Sequence, residues 1–171
     1  MAILQDTDFN EGRFKIPTNT FQEDDLDSYI DRVEAYYLPR LFGVELYDLF
    51  IADLSVGTPQ TPSDPRFTQI FNAFNDQTDD CFTQSEGMIE MLKGFVYMTY
   101  TRDRVSRVTT DGIKVTTGEN ADNVTAIHHD LNSRYNESIH TYKVIQNYMF
   151  NVDPDTYPEY EGINLKYNHT F

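Results

Sequence analysis

Val124, Ile127, Leu131, Tyr135, Ile139, Tyr142, Ile145 and Met149 recur at intervals of three and four, the spacing of one stripe along an α-helix. The helix this predicts, from about Asn123 to Phe150, spans roughly 40 Å at 1.5 Å per residue. A stripe of that length must lie along other helices to leave water. The chain supplies them. In QEDDLDSYIDRVEAYYL, Leu26, Tyr29, Ile30, Val33, Tyr36 and Tyr37 share one face; Asp24 or Asp25 can cap it and Pro39 ends or kinks it. A second helix, Val44 to Leu54, puts Val44, Tyr47, Phe50, Ile51 and Leu54 together. Pro65 opens a short third with Phe67, Ile70, Phe71 and Phe74 inward. Ser85 caps EGMIEMLKGFVYMTYTRDRVSR, whose Met88, Ile89, Leu92, Phe95, Val96, Met98, Thr99 and Tyr100 wrap more than half the circumference. That breadth marks the most buried helix.

Between the last two long helices, Asp111-Gly112 separates β-branched runs, and a type I′ turn needs positive φ at both central residues. A two-stranded ribbon near 108–117 is therefore expected, with Asp111, Gly112 and Ile113 at its turn. Such a ribbon is marginal in water by itself and wants a surface to lean on. The fold class predicted is mainly α: a bundle-like domain of four to five helices, one small β-hairpin and extended N- and C-terminal arms. The boundaries are an extended arm over 1–23, the helical domain over 24–150 and a tail over 151–171.

The 171 residues suit one domain with a real core. A single Cys81, in an acidic context that raises a thiol pKa, neither pairs within the chain nor makes a catalytic thiolate. The first residues lack a signal-peptide layout and no apolar run reaches the roughly 18 residues of a membrane span, so a soluble, intracellular protein is expected. The sequons at Asn123, Asn136 and Asn168 then meet no glycosylating machinery. Thirteen Lys and Arg against 28 Asp and Glu give a formal charge of -15, which repels polyphosphate and argues against sequence-specific nucleic-acid binding.

No phosphate loop, CxxC, HExxH or GxSxG is present, and neither catalytic residue, metal site nor cofactor is expected. The cluster Glu23, Asp24, Asp25 and Asp27 could serve an acidic metal-dependent enzyme; against that, adjacent helix residues diverge and carboxylates there complement the helix dipole. His128 and His129 diverge by about 100° and His140 lies too far along the helix to share a metal. The closing stretch TYPEYEGINLKYNHTF is too apolar for a solvating tail, while Pro158 and Gly162 oppose a helix. Tyr157, Pro158, Tyr160, Ile163, Leu165, Tyr167 and Phe171 are accordingly expected to meet a partner surface.

Taken in order, YLPRLFGVELYDLF, GMIEMLKGFVYMTYTRD, GIKVTTGENADNV, RYNESIHTYKVIQNYM and YPEYEGINLKY resemble the head-to-tail connector (adaptor) proteins of tailed bacteriophages, including neck-ring proteins of crAss-like phages. The resemblance implies a structural virion protein made in the host bacterial cytoplasm. Copies, normally twelve, would form a homo-oligomeric ring at the capsid-tail junction beneath the portal protein, carrying the tail or further neck rings. Genome DNA would pass through the channel without sequence-specific binding. The tail would dock on the portal, and the hairpin, the N-terminal arm and the loop Ser55 to Pro65 would serve subunit or ring contacts. A stopper or tail-completion protein is the neighbouring alternative.

Overall fold

The computed structural model describes residues 3–16, 23–56, 59–78, 81–109, 112–115, 124–163 and 165–166. Five helices form a mainly helical domain: α1 (Glu23–Phe42), α2 (Val44–Asp53), α3 (Pro65–Phe71), α4 (Met88–Val105) and α5 (Val124–Asn147). A π-helical turn, Tyr148–Val152, ends α5, and among the described residues no helix is long and apolar enough to cross a membrane.

The long helices pack as their stripes require. On α4, Met88, Met91, Leu92, Phe95, Val96 and Tyr100 are buried, and Ile139, Tyr142 and Ile145 of α5 join the same core with Met149 of the turn that follows it; Leu131 of α5 is buried as well. The Tyr37 ring of α1 stacks on Phe95 at 3.8 Å, and Phe95 meets Tyr135 of α5 at 5.6 Å, so one aromatic column joins three helices. Polar groups fix the antiparallel α1–α4 pair at its far end. Tyr29 and Arg32 both donate to Asp103, each at 3.3 Å, and Arg104 pairs with Asp25. Helix α1 continues through Pro39, which lacks the N–H for the preceding turn. Arg40 strengthens that turn by laying its guanidinium over the Tyr36 ring and donating to the Tyr36 carbonyl at 2.7 Å.

Helix α2 turns most of the expected side inward, since Phe50 is buried and Tyr47, Ile51 and Leu54 pack partly buried against the core, but Val44, expected among them, is not there. Leu46 and Phe50 are buried while Val44 is 69% exposed. The run VELYDLFIADL is apolar on more than one side, and Phe42, Phe50 and Phe67, with centroids 4.9 to 6.4 Å apart, decide which side turns inward. Two antiparallel ribbons occur where one was expected. The ribbon near 108–117 is β3 (Ser106–Thr109) with β4 (Gly112–Val115); a second pairs β1 (Phe74–Thr78) with β2 (Cys81–Ser85). Phe74, assigned above to the third helix, opens β1, and the Ser85 hydroxyl holds the Gly87 N–H at 3.2 Å instead of capping a helix.

The expectation of an extended N-terminal arm over 1–23 is overturned for residues 3–16. Ile3, Leu4, Phe9, Phe14 and Ile16 are buried in the core around a 3-10 turn at Asp6–Phe9. Burying Phe9 and Phe14 alone contributes about 1.5–3 kcal/mol each. Arg13 then bridges Glu86 at 2.7 Å and Glu137 at 2.8 Å. At the start of the arm the backbone N–H groups of Ile3 and Leu4 both donate to one oxygen of Glu34, at 3.0 and 2.8 Å. Glu34 lies on α1 and is fully buried, and among the described residues its second oxygen has no hydrogen-bond partner.

Burial raises the Glu34 carboxyl from 4.5 to about 7, although the Leu4 and Ile3 N–H groups favour its charged form. The folded state therefore binds this proton more tightly than the unfolded one. The contribution is complete below about pH 4.5 and is lost as pH rises through about 7. Glu34→Gln keeps an acceptor and never ionises. Wild-type stability measured against this variant by denaturant unfolding is expected to fall between about pH 5 and 7.5, on the order of 1.4 kcal/mol for each unit of displacement. A difference that stays constant across that window would contradict the assignment.

Candidate functional site

The last turn of a helix leaves its carbonyls without intrahelical partners. On α1 the closing segment of the chain satisfies them. The Glu161 N–H donates to Phe42 O at 3.1 Å and the Ile163 N–H to Arg40 O at 2.6 Å. On the strap's other side the Ile163 carbonyl accepts from the Tyr142 hydroxyl at 2.7 Å and from Gln146 Nε2 at 3.2 Å, both on α5. Two glycines make the crossing possible. Gly43 turns the chain out of α1 with φ 81°, and a Cβ there would stand 2.9 Å from the Glu161 backbone. A Cβ at Gly162 would run into the Leu41 carbonyl oxygen.

Helix α3 holds the strap's start. The Tyr157 hydroxyl donates to Arg66 O at 2.6 Å, and the Arg66 guanidinium reaches Thr156 O at 3.5 Å and Glu159 at 3.4 Å. Burial pushes the Tyr142 and Tyr157 phenols up, and Tyr160 up to about 12. All three remain neutral across the ordinary pH range, so the hydroxyls of Tyr142 and Tyr157 remain donors.

Residue by residue, the expected docking tail divides. Tyr157 is 2% exposed and meets Tyr148 edge-on at 6.3 Å, which makes it part of the subunit's own core and not a free docking side chain. Leu165 packs partly buried against that core, and Pro158 is exposed. Tyr160 is half-buried beside Phe150 at 6.2 Å, while Ile163 is 57% and Phe150 65% exposed. Phe150, not anticipated as a contact, walls a groove of about 460 Å³ together with Lys143, Asn147, Asn151, Tyr160 and Gly162. Its position at the end of the α5 stripe, off the spacing that buries Met149, is the signal that could have marked it.

Tyr167, Phe171 and Asp111 lie outside the described residues; Gly112 and Ile113 pair with Thr109 and Val108 across the second ribbon. Of the acidic cluster, Asp25 pairs with Arg104 and Asp27 is exposed, and the side chains of Glu23 and Asp24 lie outside the described part. Among the described residues no group of three or more His, Cys, Asp or Glu is placed to hold a metal ion. The loop Ser55 to Pro65 is anchored by Asp53, whose carboxylate accepts from Ser63 and Asp64 at 2.6 to 2.8 Å. Comparison with protein-family models, curated proteins and solved structures finds no match to the chain.

The strap depends on the absence of a side chain at Gly162. Gly162→Ala is expected to lower stability by about 1–3 kcal/mol and to open the segment to chymotrypsin at Tyr160, with the far-ultraviolet helical signal retained. Unchanged stability and unchanged cleavage would show that the strap is not held against α1.

Proposed function

We propose that this chain is a structural subunit of a phage head-to-tail connector, assembling with its copies into a ring beneath a portal and extending the DNA channel. The observation that carries the reading is the strap. The segment assigned to docking by resemblance is built into the subunit through Tyr157 and Gly162, and it leaves Ile163 and Phe150 exposed beside a groove. Exposed apolar side chains grouped around a concave surface are a common form of protein contact site. In this reading the portal contact is made by the outer side of a fixed strap and not by a free peptide.

The order of the resembling segments follows the helices: α1 into α2, then α4, the link before α5, α5 itself and the strap. A mainly helical subunit with residues 3–16 and 157–163 folded onto it suits a ring component, which must present the same surfaces in every copy. Repetition turns individually weak contacts into durable attachment through effective concentration. A formal charge of -15 suits a channel wall along which DNA slides without sticking.

The test is co-sedimentation of the purified chain with the portal ring encoded by the same genome. The wild type is expected to co-sediment, and Phe150→Ser with Ile163→Ser to weaken attachment at least tenfold while keeping the thermal midpoint. Absence of wild-type binding to the portal, with binding to another neck or tail ring instead, would move the subunit further down the neck. Binding to none of these rings would remove the connector reading.

A further inference from the structure

Gly162 stands between the two N–H groups that hold the strap to α1, those of Glu161 and Ile163. Among the described residues neither its own N–H nor its carbonyl makes a hydrogen bond. Successive backbone groups of an extended segment point to alternate sides, so a strap pinned at 161 and 163 turns the N–H of 162 away from the helix. Gly162 is also one of the walls of the groove at Phe150. Unpaired backbone groups on an extended segment are a template on which another extended chain can pair.

The opposite wall comes from α5 and the π-helical turn that ends it. Such turns are uncommon and frequently lie at functional sites. Asn151 Nδ2 donates to Asn147 Oδ1 at 2.7 Å, which leaves Asn147 Nδ2 and Asn151 Oδ1 with no partner among the described residues. Gln146 is 5% exposed; its Nε2 is given to the strap, yet its buried Oε1 accepts from no described residue. An acceptor left in that state costs about 1–3 kcal/mol, which a donor arriving in the groove would remove. The charge of the site is complementary to an acidic segment. In a chain with 28 carboxylates, the residues lining the groove include Lys143 and no Asp or Glu.

We infer that the groove binds an extended peptide segment of a partner chain, paired through its backbone with Gly162, its apolar side chain against Phe150 and a carboxylate toward Lys143. The inference rests on the connector reading for the source of that segment, the portal chain. The chemistry of the groove is independent of that source.

Two probes offered to the full-length chain test this: a display library of short random-sequence peptides, and overlapping peptides that tile the portal chain of the same genome. Library binders are expected to share an apolar residue and a carboxylate, and to weaken as salt rises. Phe150→Ser and Lys143→Glu should each lower their affinity at least tenfold, with circular dichroism showing the helices intact. In the free protein the Gly162 amide should exchange faster than those of Glu161 and Ile163, and bound peptide should slow it at least tenfold. A peptide N-methylated at the pairing residue should not bind.

A library without binders, binders indifferent to both substitutions, or a bound peptide that leaves Gly162 exchange unchanged would each overturn the inference. So would a Gly162 amide that is protected in the free chain and released when residues 167–171 are removed, because the chain would then fill its own groove. Protection that rises with protein concentration, the sign of a second copy, would overturn it too. Random peptides that meet every expectation, while neither portal peptides nor the portal ring bind, would keep the peptide site and remove the connector reading. A portal ring that binds with Gly162 exchange unchanged would do the opposite.

Discussion

A backbone polar group buried without a partner costs free energy comparable to a lost hydrogen bond, and helix α1 is where the segments at Ile3–Leu4 and Glu161–Ile163 meet that requirement. Its Glu34 carboxylate takes the first described N–H groups, those of Ile3 and Leu4. Its last-turn carbonyls, at Arg40 and Phe42, take N–H groups of the closing strap. With these two segments fixed on one helix, the aromatic residues they carry can close the core. Phe9 and Phe14 enter from one end and Tyr157 from the other. Residues 3–16 and 157–163 are thus parts of the folded domain.

Electrostatics follow from the same arrangement. In a chain with 13 cations and 28 carboxylates, several cations serve as latches between elements that are distant in sequence. Arg13 joins the N-terminal arm to Glu86 and Glu137, Arg66 joins α3 to the strap, and Arg104 joins the end of α4 to Asp25. Exposed ion pairs contribute little each, at most about 1 kcal/mol. Their value lies in fixing which segments meet. Glu45 and Asp48 are exposed on α2 beside Val44 and Leu49.

Much of the helical layout was legible because period alone specifies it. Of the α4 stripe Met88, Leu92, Phe95, Val96 and Tyr100 are buried, and of the α5 stripe Leu131, Ile139, Tyr142, Ile145 and Met149, while the side chains of Val124 and Ile127 lie outside the described part; Pro65 marks the first turn of α3. Period fails where burial has no period. Ile3, Leu4, Phe9, Phe14 and Ile16 are spaced irregularly, and a polar-looking stretch gave no sign that every one of them would find the core. The strands around Asn75 and Gln77 lack the β-branched alternation that announces a hairpin, which hid β1 and β2. On α2 the expected face meets the core at Tyr47, Phe50, Ile51 and Leu54, and what the period did not separate is Leu46, which is buried, from Val44, which is exposed. In the aromatic tail the first tyrosine proved to be core, because the surface it meets is α3 of the same chain.

The account turns on the strap being part of the folded subunit. The most direct measurement is amide hydrogen exchange of the isolated, full-length chain at Glu161 and Ile163, the two donors to the end of α1. Protection close to that of the central helix α4 is the expected result. Exchange at the rate of an unstructured peptide, in a sample whose α4 amides are protected, would contradict it and return the tail to the status of a free docking segment.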